Sequence, residues 1–185
     1  RLFEDLQTRN VVPTRVLHMW GVTRAVPGEG FEKIQDKGFY SILNTAKAIG
    51  RGKLRSRLGI EVVTDQVQEV TGDEPLCPAK ATVIGPLRVI PQEFPGIRCR
   101  SIDVLLPEAG GKKEKELADR LVEEISTVID DPVVAYRGST RWIQTYQPLG
   151  LEKTREHRLN LKLKDGGVYL LTGGTGNIGV MLAEY

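Results

Sequence analysis

At 185 residues, with 40% hydrophobic and 27% charged side chains, the chain has room for one domain, or for a domain and part of another. Its composition fits neither disorder nor a fibrous repeat. Lys and Arg number 26 against 24 Asp and Glu, a formal charge of +2, so no strong field draws the chain toward nucleic acid or an anionic membrane.

Cys77 and Cys99 cannot build a disulfide framework, and with only two histidines a zinc site lacks ligands; a reducing, cytoplasmic setting is the simpler expectation. The first thirty residues carry Arg1, Glu4, Asp5 and Arg9 and no apolar run of the secretory type. Gly166 to Ala183 is uncharged and long enough for a membrane span. Its six glycines, two threonines and Asn177 would leave backbone groups unpaired in hydrocarbon, so no span is expected.

In chain order, Leu2 to Thr8 suits a short helix, and Arg15 to Trp20 is a compact apolar run suited to a strand ending near Gly21. After a Pro-Gly loop, Phe31, Ile34, Gly38, Ile42, Ala46 and Ile49 recur at helical spacing, with Gly50 placed to stop the helix. Ile60 to Thr64 reads as a second strand. Val83, Leu87 and Ile90 predict a helix from Ala79 to about Ile90, with Gly85-Pro86 inside it. Cys99 to Leu106 reads as a buried strand that carries Asp103 at an apolar position. Gly110-Gly111 opens an amphipathic helix with the stripe Leu117, Leu121, Ile125 and Val128, ended by Asp130-Asp131-Pro132. Val133 to Tyr136 is a further strand, Arg141 to Tyr146 an antiparallel or edge strand, and Val168 to Leu171 the last. Strands separated by helical patterns predict an α/β, Rossmann-like fold with a mainly parallel sheet and helices on both faces. The polar segment between Pro148 and Leu163 suggests a boundary.

The most specific motif is Thr172-Gly173-Gly174-Thr175-Gly176-Asn177-Ile178-Gly179, which contains G-x-G-x-x-G between an expected strand and an expected helix. Missing side chains let such a backbone turn tightly against a pyrophosphate, and the helix N-terminus offers N–H groups to the anion. A tight structural turn is the bland alternative. The acidic or basic residue expected about 20 positions later falls beyond Tyr185. No Tyr-x-x-x-Lys occurs: the residues four after Tyr40, Tyr136, Tyr146 and Tyr169 are Asn44, Thr140, Gly150 and Gly173. His18 reads as a core or strand-end histidine, His157 and the basic run Arg51 to Arg57 as solvated surface. Glu93 and Asp103 read as capping groups or partners of Arg98 or Arg100, not as a catalytic pair.

Taken together, Val62-Val63-Thr64, Pro78-Ala79 with Gly85, Arg88 to Pro95, Arg100-Ser101-Ile102-Asp103, Val133 to Arg137, Tyr146-Gln147-Pro148 and Val168 to Gly179 resemble the ketoreductase domain of modular polyketide synthases. The resemblance implies a structural, pseudo-Rossmann subdomain over residues 1–150 and a linker over 151–165. Residues 166–185 would be the first strand, glycine-rich turn and helix start of the catalytic subdomain. It implies NADPH in the intact domain, held at Thr172, Gly173, Gly174, Thr175, Gly176, Asn177, Ile178 and Gly179, and not bound by this stretch alone. Catalytic Ser, Tyr and Lys would lie past Tyr185, leaving no catalytic residue here. The running together of the two halves speaks against an enoylreductase inserted between them. Implied partners are the catalytic ketoreductase subdomain, other synthase domains and an acyl carrier protein. Two other functions fit the same residues: a non-catalytic pseudo-ketoreductase platform that braces a neighbour such as a methyltransferase, and a nucleotide sensor.

Overall fold

A computed structural model describes residues 2–11, 13–23, 30–51, 58–127, 131–148, 164 and 166–184. They form two compact units, Arg1–Thr145 and Tyr146–Tyr185. In the first unit, α1 (Leu2–Thr8) precedes β1 (Arg15–Gly21). The long helix predicted next is three pieces in series: α2 (Phe31–Gln35), a π-helical turn (Asp36–Tyr40) and α3 (Ser41–Arg51). Gly38, Ile42, Ala46 and Ile49 face inward as the spacing predicts, but before the π-helical turn the buried position is Gln35, while Phe31 is exposed and Ile34 only half-buried. Gly50 does not end the helix, which runs to Arg51. The ring of Phe94 lies where a Cβ at Gly50 would stand, so the glycine serves close packing.

β2 (Leu58–Asp65) is buried along nearly its whole length. The predicted helix at 79–90 is broken into α4 (Pro78–Ala81) and α5 (Ile84–Glu93), because Pro86 has no N–H to carry one helix through and fits best in a first turn. β3 (Ile97–Val104) follows, then α6 (Lys112–Ser126). α6 stops before the acidic Asp130-Asp131-Pro132 expected to end it. Thr127 leaves the helical region, and its N–H and hydroxyl both bond Glu123 O. Val128 of the predicted stripe lies outside the described residues. β4 (Val133–Arg137) and β5 (Thr140–Ile143) close the unit.

The sheet has strand order β1-β2-β3-β4-β5, parallel through β4, with β5 antiparallel at the edge. The fold is α/β and Rossmann-like, with helices on both faces. On one face Ile42, Ala46, Ile49, Val83, Leu87 and Ile90 from α3 and α5 pack on Leu58, Ile60, Val62 and Ile97. On the other, Leu121 of α6 packs with Val63, Ile102, Val104, Val134 and Tyr136. Each such Val, Leu or Ile side chain contributes about 1.5–3 kcal/mol of burial.

Strand order and face together fix one further property. All three crossovers advance the same way across parallel strands, yet the first two place their helices on one face and the third on the other. The connection through α6 is therefore of opposite hand to the two before it, so the right-handed rule is not kept by all three.

In the second unit, the strand expected at Val168–Leu171 is not formed. Among the described residues it has no ladder partner, and Val168 and Leu170 are almost fully exposed. A lone apolar run has no sheet to hydrogen-bond into. The turn after it leads into α7 (Asn177–Glu184).

Candidate functional site

Open α/β sheets take ligands beyond the carboxyl ends of their strands. In the first unit the ends of β2, β3 and β4 are filled by the chain's own charges. At the end of β2, Lys80 Nζ lies 2.6 Å from Asp65 Oδ1 and 2.9 Å from Thr23 O, and Asp65 also accepts the Thr23 N–H. Both side chains are buried. Beside them, Asp103 of β3 is fully buried and accepts from Thr64 Oγ1, from the N–H groups of Val67 and Gln68, and from Arg137 at 2.8 Å. Arg137 also bonds Glu74 at 2.8 Å and Gln68 O at 2.6 Å. The Arg137 bond and the N–H groups of Thr71, Gly72 and Val70 hold the Glu74 carboxyl well below the usual carboxylate range.

Asp103 is thus the partner of Arg137, not of Arg98 or Arg100 as the sequence suggests, and no bond joins it to Glu93, which is exposed at the end of α5. Arg100 turns to the opposite face of the sheet, toward Glu124 of α6. Glu124 also accepts from Arg141 at 2.7 and 3.0 Å and from the Tyr136 hydroxyl at 2.7 Å.

His18 sits buried on the α3 face of β1. Its Nε2 is 2.6 Å from Ser41 Oγ, which itself lies 2.5 Å from Lys37 O and 3.0 Å from Gly38 O of the π-helical turn. The hydroxyl proton is directed at the helix backbone, so Ser41 is not an activated nucleophile and His18 acts as a tie between β1 and the helix. Burial lowers the His18 pKa, keeping the ring neutral. Burial likewise pushes the Cys99 thiol up to about 12 and makes it inert. His157 and residues 52–57 of the basic run lie outside the described residues.

The predicted cofactor residues, Thr172 to Gly179, lie in the second unit as a turn and the start of α7. Gly173 has φ +75°, the left-handed region that glycine adopts without strain. The turn is drawn in by bonds from Gly174 N–H to Leu171 O and from Gly176 N–H to Gly173 O. A Cβ at Gly179 would lie 2.6 Å from the Gly174 Cα, so α7 approaches the turn as closely as only glycine allows. The first intrahelical bond runs from Val180 N–H to Gly176 O at 2.9 Å. Asn177 and Ile178 precede it, and their N–H groups have no intrahelical acceptor. That is a cradle of the shape and polarity an anion needs.

The ion pairs at the strand ends were hidden in the sequence. Asp103 was conspicuous in an apolar strand, but nothing local names Arg137 or Glu74 as its partners.

Fold and kinship define a Rossmann-like segment of the kind that occurs in polyketide synthase or NRPS-type modules. Over 124 residues, 67% of the chain, it is 27% identical to a phenolphthiocerol/phthiocerol polyketide synthase from Mycobacterium tuberculosis (strain CDC 1551 / Oshkosh), of which it covers 6%. It is 26% identical over 168 residues, 89% of the chain, to polyketide synthase PksN of Bacillus subtilis (strain 168), of which it covers 3%. A multidomain structure of a keto acid-selecting NRPS module, comprising adenylation, ketoreductase and pseudo Asub, superposes with a TM-score of 0.79 at 29% identity, over 99% of this chain and 15% of that one. The chain spans only a small part of each of these proteins. Residues 1–124 match the model of the beta-ketoacyl synthase-like, N-terminal family, and the chain belongs to that family. Among the described residues no helix is long and apolar enough to cross a membrane.

Proposed function

We propose that the first unit is the structural half of a polyketide synthase-type ketoreductase, and that Thr172 to Gly179 open its cofactor-binding half. The observation that carries the bracing role is the closure of the strand ends by Asp65–Lys80 and Asp103–Arg137–Glu74, which fills the place where an open sheet takes a nucleotide. A strand order without reversal supports the same reading, since the crevice of a doubly wound sheet forms where the order reverses. The reductase named in the NRPS module structure supports the ketoreductase assignment.

NADPH, when bound, supplies the hydride that reduces the 3-keto group of a carrier-bound acyl chain. The groups of this chain that would hold its pyrophosphate are the N–H groups of Asn177 and Ile178, and Gly173, Gly174, Gly176 and Gly179 would keep side chains away from it. Protonation of the alkoxide falls to residues of the catalytic half. The catalytic half, neighbouring synthase domains and the acyl carrier protein are the partners this reading requires.

The test is NADPH binding and turnover of a β-ketoacyl thioester by the intact ketoreductase and by residues 1–185. The intact domain is expected to do both and residues 1–185 to show no turnover. Gly179→Val in the intact domain is expected to weaken NADPH at least tenfold, because the new side chain must displace α7 or the turn. Turnover by residues 1–185, or unchanged NADPH affinity in the variant, overturns the proposal. NADPH binding without turnover by the intact protein favours the non-catalytic platform, for which the self-closed strand ends are equally suited.

A further inference from the structure

We infer that the first unit carries a separate site for a small amphipathic carboxylate, in the cavity between the outer ends of β3 and β4 and the first turns of α6. The cavity holds about 320 Å³ and lies within one unit, lined by residues from positions 105 to 139. It opens beside the first turns of α6, where Leu117 alone packs on the sheet cluster. Leu121 and Glu124 are buried, and one and two turns earlier the stripe Lys113, Glu116, Leu117 and Arg120 lines the opening, with Leu117 partly buried against the sheet cluster. Those four positions are spaced i, i+3, i+4, i+7, a single helix face.

The chemistry of the lining is two-sided. Leu105, Leu106 and Pro107 at the end of β3, Leu117 of α6 and the ring of Tyr136 make an apolar floor. The Tyr136 hydroxyl is turned away to Glu124, so the ring offers only carbon to the cavity. The rim carries Lys113 and Arg120 against one carboxylate, Glu116, which Lys112 approaches at 3.5 Å. Arg120 spends one N–H on Gly138 O at 2.6 Å, which fixes the guanidinium at the mouth and leaves further donors on it. The surplus is positive. A neutral or cationic ligand would leave that surplus unanswered. An alkyl carboxylate answers both parts, its tail on the leucines and its head between Lys113 and Arg120. The site lies on the α6 face of the sheet, opposite the face on which Asp103 and Arg137 close the strand ends, and it does not depend on the assignment of NADPH to the glycine-rich turn.

The probe is octanoate, titrated into the 185-residue chain and followed by amide chemical shifts, with octanol and octylammonium as matched tails. Octanoate is expected to bind saturably and to shift residues 105–107, 113–120 and 136–139, with octanol weaker and octylammonium without effect there. Lys113→Glu, an exposed position whose change spares the core, is expected to weaken octanoate roughly tenfold, as loss of a charge-assisted contact does. Arg120→Gln is expected to act in the same direction. Equal binding of octanol and octanoate, shifts confined to other residues, no saturable binding, or an unaffected Lys113→Glu variant each overturns the inference.

Discussion

Glu124 shows how one side chain can tie three elements and set a pH limit. Burial alone would raise its carboxyl, but the bonds from Arg141, Tyr136 and Arg100 outweigh it and bring the group down to about 2 from an ordinary 4.5. The unfolded chain therefore takes up this proton first as pH falls. Stability from Glu124 is complete above about 4.5 and drains away as the pH falls toward 2. Tyr136 behaves in the opposite sense: burial first, then the bond to Glu124, pushes it up to about 12 from 10.0, so its contribution is complete below 10.0 and is lost as pH rises through that range. In urea denaturation the midpoint is expected to fall between pH 4.5 and 2, and Glu124→Gln to flatten that fall, with Glu74 accounting for part of the slope that remains. A variant with the full acid slope would remove Glu124 from this role. At this scale the sequence was least informative. Asp103 could be seen to need a partner, yet Arg137 lies 34 positions away and reaches it only through the parallel pairing of β3 with β4.

Among the elements, α4 is four residues long and is held to the end of β2 by the buried Lys80–Asp65 pair. Lys80→Met strands the Asp65 carboxylate and is expected to cost about 3–5 kcal/mol in chemical denaturation. Adding Asp65→Asn to it should cost less than the two single changes summed, since no lone buried charge is left; simple additivity would show the pair to be uncoupled. Most elements were legible because apolar spacing and turn residues agree locally: β1, β2, β3, β4 and α6 fall within a few residues of their expected places. The π-helical turn was not, since its extra residue moves the inward position from the apolar Ile34 to the polar Gln35, which no apolar spacing signals. Val168–Leu171 has the content of a strand, but a strand is defined by its neighbour. The hand of the third crossover is also beyond local reading, because it depends on which face α6 covers.

Among the described residues, both apolar clusters and all five strands lie within Arg1–Thr145. Residues 1–145 alone are expected to unfold in one cooperative urea transition, with a stability within about 0.5 kcal/mol of the same unit in the longer chain. A broad or non-coincident transition by fluorescence and circular dichroism would show that the unit needs the residues beyond Thr145. The glycine-rich turn was visible in sequence as a motif, and its backbone has the tightness the motif demands. The contrast between that open cradle and the closed strand ends of the first unit was not visible there, because the closure is made by residues far apart in the chain.

That closure bears on how such a segment can diverge. In most open α/β sheets the loops after the strands are the variable part, where insertions create new binding sites without touching the frame. Here Lys80 and Arg137 stand in or beside those loops and reach back to neutralise the buried Asp65 and Asp103, with Glu74 holding Arg137 in place, so a change of loop length uncouples a charge inside the frame. Innovation is thereby pushed to the margins of the sheet, to the stretch around α6 and to the joined unit beyond Thr145. The unit makes its own most adaptable surface expensive to alter.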